Sequence, residues 1–184
     1  MAMFLTSIRV AVLTLLICAC GYPALILGIA QAFTPGTANG SLLQRSDGTI
    51  VGSRLLAQAF TQPRYFWPRP SAVGYNAAGA GGSNKSPTSA DLIERAQQTV
   101  AAYGATPQNP LPADLAAASG GGLDPHVTER SALYQVARVA AARERTPLEV
   151  ESLVRRHAFA PGGLLSSARL VNVLELNLAL DQMR

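Results

Sequence analysis

The sequence predicts an α+β protein: a single N-terminal transmembrane helix followed by one extracytoplasmic α+β domain. Three observations predict it. The segment from Val10 to Gln44 contains no Asp, Glu, Lys or Arg, so the apolar residues are concentrated at one end. Beyond it, helical periodicities with capping residues alternate with short strand-like runs and with segments rich in Pro and Gly. No second long apolar run exists, which excludes a polytopic membrane protein. Only 14% of the 184 residues are charged, against roughly a quarter in ordinary globular chains, which also excludes a disordered chain.

The apolar run Val10 to Ile29 is about as long as a hydrocarbon core is thick when helical. Val10, Leu13, Leu16, Ile17 and Leu27 supply its apolar surface, and Pro23, lacking an N–H, is expected to kink it without abolishing it. The boundaries read as residues 1–9 in the cytoplasm, 10–32 in the membrane and 33–184 outside. Arg9 and the amino terminus precede the span, whereas the first cation after it is Arg45, and this bias places the N-terminus inside. Two processing alternatives stand beside a retained anchor. Ile17–Ala19 before Cys20 loosely resembles a lipoprotein box, and Ala30-Gln31-Ala32 a signal-peptidase site. Apolar sequence continues past Cys20, and the core exceeds the roughly 7–15 residues of a signal peptide, so a retained anchor is favoured.

Leu42–Arg45 and Thr49–Val51 flank Ser46-Asp47-Gly48, a hairpin signal. Ser53 is expected to cap a helical turn carrying Leu55, Leu56 and Phe60. Residues 63–87 read as a long irregular segment, of the kind that is commonly functional. A helix is expected from Thr88 or Ser89, with Leu92, Ile93, Ala96, Val100 and Tyr103 on one face and Gly104 as its stop. Pro107, Pro110 and Pro112 form a stiff connector, and Gly120–Gly122 with Asp124, Pro125 and His126 another loop. Thr128 caps the next helix, with Leu133, Val136, Ala137 and Ala140 inward. Thr146, Pro147 and Glu149 form a capping box for a further helix that buries Val150, Leu153, Val154 and His157. The alternation of Leu174, Leu176, Leu178 and Leu180 favours a closing strand, with a helix as the alternative.

Chemistry is sparse. The net charge is +4 and Lys85 is the only lysine; without a clustered basic stripe, nucleic acid is not an expected partner. The two cysteines, Cys18 and Cys20, lie in the apolar run about 200° apart on a helix, so the outer domain has neither a disulfide nor a thiolate metal site, and no metal ligands or catalytic residues are assigned. Gly79 with Asn84-Lys85-Ser86 falls one substitution short of a phosphate loop, but no strand precedes it, and Pro87 opposes helical geometry at Ser86. Asp124 and His126 could pair as acid and base, or form a turn in which Asp124 holds backbone N–H groups. Tyr65, Phe66 and Trp67 between Arg64 and Arg69 suit a packed loop or a docking edge.

At these loops the chain resembles the C subunit of the Kdp potassium-transporting ATPase, the KdpC family, over nearly its whole length. The matching residues are Gly21-Tyr22-Pro23, Gly28 to Gln31, Asn39 to Leu42, Gln58, Phe60, Tyr65, Phe66, Arg69, Pro70, Ser71, Asn76, Gly81, Gly82, Ser83 and Asn84. They continue through Ala118 to Gly120, Gly122, Leu123, Asp124, Pro125, His126, Tyr134, Gln135, Arg138, Val171 to Leu174 and Leu176 to Asp181. The chain departs from the pattern at Ala80, Lys85 and Ser86. The resemblance implies a non-catalytic accessory subunit, with no tightly bound cofactor. It implies assembly with a channel-like K⁺-translocating subunit, a P-type pump subunit and a small membrane subunit, which between them handle ATP and K⁺. It also implies a catalytic chaperone that raises the pump subunit's affinity for ATP. A lipid-anchored periplasmic binding protein is the alternative. The residues expected to serve partner contact and assembly are Gln58, Tyr65, Phe66, Arg69, Pro70, Ser71, Asn76, Gly81 to Asn84, Asp124 to His126, Tyr134 and Arg138.

Overall fold

The structure, a computed structural model, describes residues 1–45, 47–163 and 168–183. The chain divides into two units, Met1–Leu42 and Leu43–Arg184.

In the first unit, helix α1 (Ala2–Leu15), a π-helical turn (Leu16–Gly21) and helix α2 (Tyr22–Phe33) run on without a break. Together they form a 32-residue helix whose most apolar window has a mean hydropathy of 2.4. At 1.5 Å per residue it is about 48 Å long, more than a hydrocarbon core requires. The helix begins at Ala2, upstream of the run that composition alone marks out. The Thr6 and Ser7 hydroxyls donate to the carbonyls of Ala2 and Met3, so the polar residues at the start are absorbed within the turn. Pro23 is accommodated just after the widened π turn, and Cys18 and Cys20 lie in that turn. A proline has no N–H for the residue four back and crowds its carbonyl, and a π turn loosens the ladder where that happens. None of the side chains of α1, the π turn or α2 is buried. Thr34 leaves helical geometry, and a one-turn helix α3 (Pro35–Ala38) follows.

The expected hairpin follows, β1 (Leu42–Gln44) paired with β2 (Ile50–Ser53). The Asp47 carboxylate accepts the Thr49 N–H at 2.9 Å, and Gly48 takes a φ of +82°. Ser53 does receive the Leu55 N–H, but only a single turn forms there, and the chain then runs as an irregular segment to Ser89. Helix α4 (Ala90–Ala102) stops at Gly104, whose φ is +61°. It contributes no buried residue: of the face expected to pack inward, Ile93 and Val100 stay exposed. Helix α5 (Ala113–Ala116) places Leu115 in the core.

The centre of the fold is α6 (Glu129–Ala142), α7 (Pro147–His157) and α8 (Val173–Gln182), with the antiparallel pair β3 (His126–Thr128) and β4 (Leu170–Asn172) in register Val127 to Val171. Thr128 caps α6, and the full capping box of Thr146 and Glu149 starts α7. Three expectations change here. His126 opens a strand and does not lie in a loop. On α6 the inward face is Ala132, Gln135, Val136, Val139 and Ala140, whereas Ala137 is exposed and Leu133 half-buried. The leucine alternation belongs to helix α8. Val173, Leu176, Asn177 and Leu180 stand at i, i+3, i+4 and i+7, so the same residues satisfy the helical period. The side chain of Asn172 caps this helix by accepting the Glu175 N–H at 3.1 Å.

Phe66, Leu115, Val127, Val139, Val150, Val154, Val171, Leu176 and Leu180 form one contiguous core. Leu176 is fully buried in it, whereas Leu148 is 75% exposed. Leu176→Ala is expected to destabilise the domain by about 2–5 kcal/mol, and Leu148→Ala by less than about 0.5 kcal/mol, as read from denaturant midpoints.

Candidate functional site

The long segment between β2 and α4 has no strand or helix to satisfy its backbone, so side chains of the helices do it. On α6 and α8, Gln135 and Asn177 are both buried among apolar neighbours. A primary amide carries a donor and an acceptor side by side, the complement of one residue's C=O and N–H. Asn177 accepts the Phe66 N–H at 2.8 Å and donates to the Phe66 carbonyl at 3.0 Å. Gln135 does the same for Trp67, at 2.8 and 3.1 Å. The Phe66 ring is thereby held in the core, fully buried.

Two arginines complete this strap, and Tyr134 and Gln58 tie neighbouring segments down. Arg138 donates to the carbonyls of Pro63 and Tyr65 at 2.6 and 3.0 Å and to Gln135 at 2.7 Å, with its guanidinium 3.8 Å from the centre of the Trp67 ring. Burial pushes its pKa down from the ordinary arginine value. Arg143 donates to the Arg64 and Leu180 carbonyls and pairs with Asp181 at 2.8 Å; the other oxygen of that carboxylate accepts from the Tyr65 hydroxyl at 3.1 Å. Tyr134 donates to the Asn109 carbonyl, and Gln58 to the Val51 carbonyl.

The second half of the segment packs on the Ala118–His126 loop. Arg69 pairs with Asp124 at 3.1 Å and donates to the Ala118 carbonyl. Pro70 accepts the Ser119 N–H, and the Ser71 hydroxyl donates to the Gly122 carbonyl at 2.6 Å. Gly81 donates its N–H to the Gly121 carbonyl. The two loops approach so closely that a Cβ on Gly82 would stand 2.7 Å from the Gly120 carbonyl oxygen. One on Gly122, at φ +69°, would stand 2.7 Å from Val73. Pro125 is buried and accepts the Val173 N–H. Asn76 and Asn84 are exposed and Ser83 is half-buried; Asn76 holds the Ala78 N–H, and Asn84 sits at a φ of +48°.

Asp124 is the junction. One oxygen accepts the backbone N–H of His126 at 3.0 Å and lies 3.4 Å from its Nδ1, and the other faces Arg69. The His126 side chain, then its backbone N–H, then Arg69 hold the carboxyl below the usual aspartate value. This is the turn geometry, with the carboxylate already committed to three donors, the His126 N–H, the His126 Nδ1 and one Arg69 nitrogen. Burial lowers the pKa of the half-buried His157. Lys85 pairs with Asp91, and α4 begins only at Ala90, so the Gly79–Ser86 run does not form a phosphate cradle. Among the described residues, no group of three or more His, Cys, Asp or Glu could hold a metal ion.

The structure therefore gathers eleven of the expected site residues into two sets within one domain, whereas Gln58 and Tyr134 bond to the Val51 and Asn109 carbonyls and Asn76, Ser83 and Asn84 belong to neither set. Tyr65, Phe66 and Arg138 belong to the strap; Arg69, Pro70, Ser71, Gly81, Gly82, Asp124, Pro125 and His126 to the paired loops. Val10, Leu13, Leu16, Ile17, Pro23 and Leu27 are all exposed on the long helix. Gln135, Asn177, Arg143 and Asp181 were missed as site residues. The signal for the first two was an amide on the apolar stripe of an otherwise aliphatic helix face.

Asn177→Ala leaves the Phe66 N–H and C=O buried without partners and is expected to cost about 2–6 kcal/mol at roughly 1–3 kcal/mol per group, measurable by denaturation. Because the Asp124 carboxyl titrates below its value of 3.8 in an unfolded chain, its contribution is present above about pH 4 and is lost as pH falls through the lower, folded value. The stability gap between the wild-type chain and Asp124→Asn should hold from pH 7 to about 5 and narrow below about 4.

The family described as "KdpC: K+-transporting ATPase, c chain" matches residues 4–182. The chain is 62% identical over 182 residues to the potassium-transporting ATPase KdpC subunit of Parvibaculum lavamentivorans, covering 99% of this chain and 97% of that one. It is 46% identical over 170 residues to the subunit of that name from Methylococcus capsulatus (89% and 88% covered), and 49% identical over 170 residues to that from Gemmatimonas aurantiaca (88% and 83%). With one apolar N-terminal helix followed by a mixed helix-and-strand domain, and with this match along almost its full length, the chain belongs to the KdpC family, the c chain of K⁺-transporting ATPases.

Proposed function

We propose that the chain is a non-catalytic accessory subunit needed for assembly and stability of the ATP-driven potassium transport complex, and that it raises the pump subunit's affinity for ATP. Its partners are the channel-like K⁺-translocating subunit, the P-type pump subunit and the small membrane subunit, and ATP and K⁺ are handled by those chains. The observation that carries this reading is an apolar helix of 32 residues with no buried side chain. Such a surface is stable only against lipid or other membrane helices. The polar residues of the candidate site support the same reading, because Arg69, Asp124, Arg138 and Asn177 hold the domain's own loops in shape. They build a rigid body suited to docking, not a reaction centre.

The proposed topology places the N-terminus in the cytoplasm and the domain in the periplasm of the inner membrane. Arg9 precedes the apolar run, and the next cation is Arg45, as the positive-inside bias requires. An effect on ATP affinity then reaches the cytoplasmic side through the helix, as a coupling free energy between two distant sites. The lipid-anchored alternative is disfavoured because Cys20 lies inside the π turn and the helix continues to Phe33.

Replacing Val10–Ile29 by a cleavable secretion signal is expected to give a folded domain that no longer copurifies with the other subunits, and a complex with a raised KM for ATP. Full copurification of the helix-free domain would overturn the anchor's role.

A further inference from the structure

We infer that the open cleft between α4 and the Trp67–Tyr75 segment is a docking site for an acidic peptide segment of another subunit, with Arg95 as the group that receives its carboxylate. The inference rests on the accessory-subunit reading and names the chemistry of one of its contacts.

The cleft has a volume of about 320 Å³. Its walls are Phe60, Trp67, Pro68, Pro70, Tyr75 and Tyr103, a run of aromatic and proline surfaces. Trp67 and Tyr103 meet edge to face, with ring centres 5.1 Å apart. Arg95, Gln98, Thr99 and Ala102 of α4 form the opposite rim. Among the described residues, Arg95 has no ion-pair or hydrogen-bond partner for its guanidinium, and its Nε is buried and unsatisfied; the Tyr103 hydroxyl is buried and unsatisfied as well. The acids around it are engaged elsewhere: Asp91 with Lys85, Glu94 with Gln98, and Asp114 with the Thr128 N–H and the Ser131 hydroxyl.

Buried donors without partners are uncommon because leaving them so costs stability. Water can satisfy an N–H, but it neither pairs the charge nor covers the aromatic walls. A carboxylate does the first, and the apolar or proline residues beside it do the second. Flat aromatic and proline walls in an open cleft suit an extended chain, as in grooves that take polyproline-like segments. The unpaired guanidinium selects for an acidic residue within that chain. Helix α4, which buries none of its own residues, gains its inward surface in the assembly.

The test uses the full chain in the assembled complex, with p-benzoylphenylalanine in place of the exposed Ala102 on the cleft rim. Irradiation is expected to cross-link one other subunit at a segment with Asp or Glu within a few residues of the adduct. Arg95→Gln should reduce that product, read per amount of assembled complex, about tenfold, the size of losing one charge-assisted hydrogen bond, while Arg95→Lys retains most of it. No cross-link to another subunit, an adduct only with lipid or with this chain, an acceptor segment without an acid, or an Arg95→Gln product equal to wild type would each overturn the docking site. Failure of the wild-type chain to copurify would instead overturn the accessory-subunit reading on which it rests.

Discussion

Two buried amides organise the domain. Gln135 and Asn177 each grip both backbone groups of one residue, Trp67 and Phe66. A segment without secondary structure cannot enter a core unless every N–H and C=O that loses water finds a replacement. The clamp meets that condition for two adjacent residues and so lets the Phe66 ring enter the core. Everything further along the segment starts from that fixed point, including the Arg69–Asp124 pair and the glycine-to-glycine contact of the two loops.

The charged residues extend the same logic. Arg138 and Arg143 serve chiefly as donors to carbonyls of the strap, and only Arg143 also has an acid, Asp181. Five N–H groups fixed in one plane let one arginine reach carbonyls on different segments at once, where lysine offers three donors at a single point. This gives a structural use to a composition in which nearly all cations are arginine. Arg95 differs from them in having a free guanidinium at an apolar cleft, and that difference is what marks α4 as the part of the domain that answers to another chain.

The long helix solves a different problem. From Val10 to Ala30 it is apolar on nearly every side, and its one awkward element, Pro23, follows closely on a π turn. In lipid no water is available to a freed carbonyl, so the irregularity is kept within the helix by widening one turn instead of breaking it.

Several features were fixed by sequence alone because local chemistry determines them. The apolar run, the Asp-Gly hairpin, the Thr128 cap and the Thr146–Glu149 capping box depend on residues within a few positions of one another. The resemblance that placed the chain in its family was equally legible, because it lies in the order of the motifs. The tertiary structure decided the rest. Leu174 to Leu180 fits a period of two as well as one of 3.6, and only packing against α7 and the cap at Asn172 selects the helix. Ala137 turned outward because Gln135 had to face the strap. Nothing near Phe66 in the chain says that its backbone partners lie 111 residues away, since a clamp between distant segments exists only once the helices that carry it have packed.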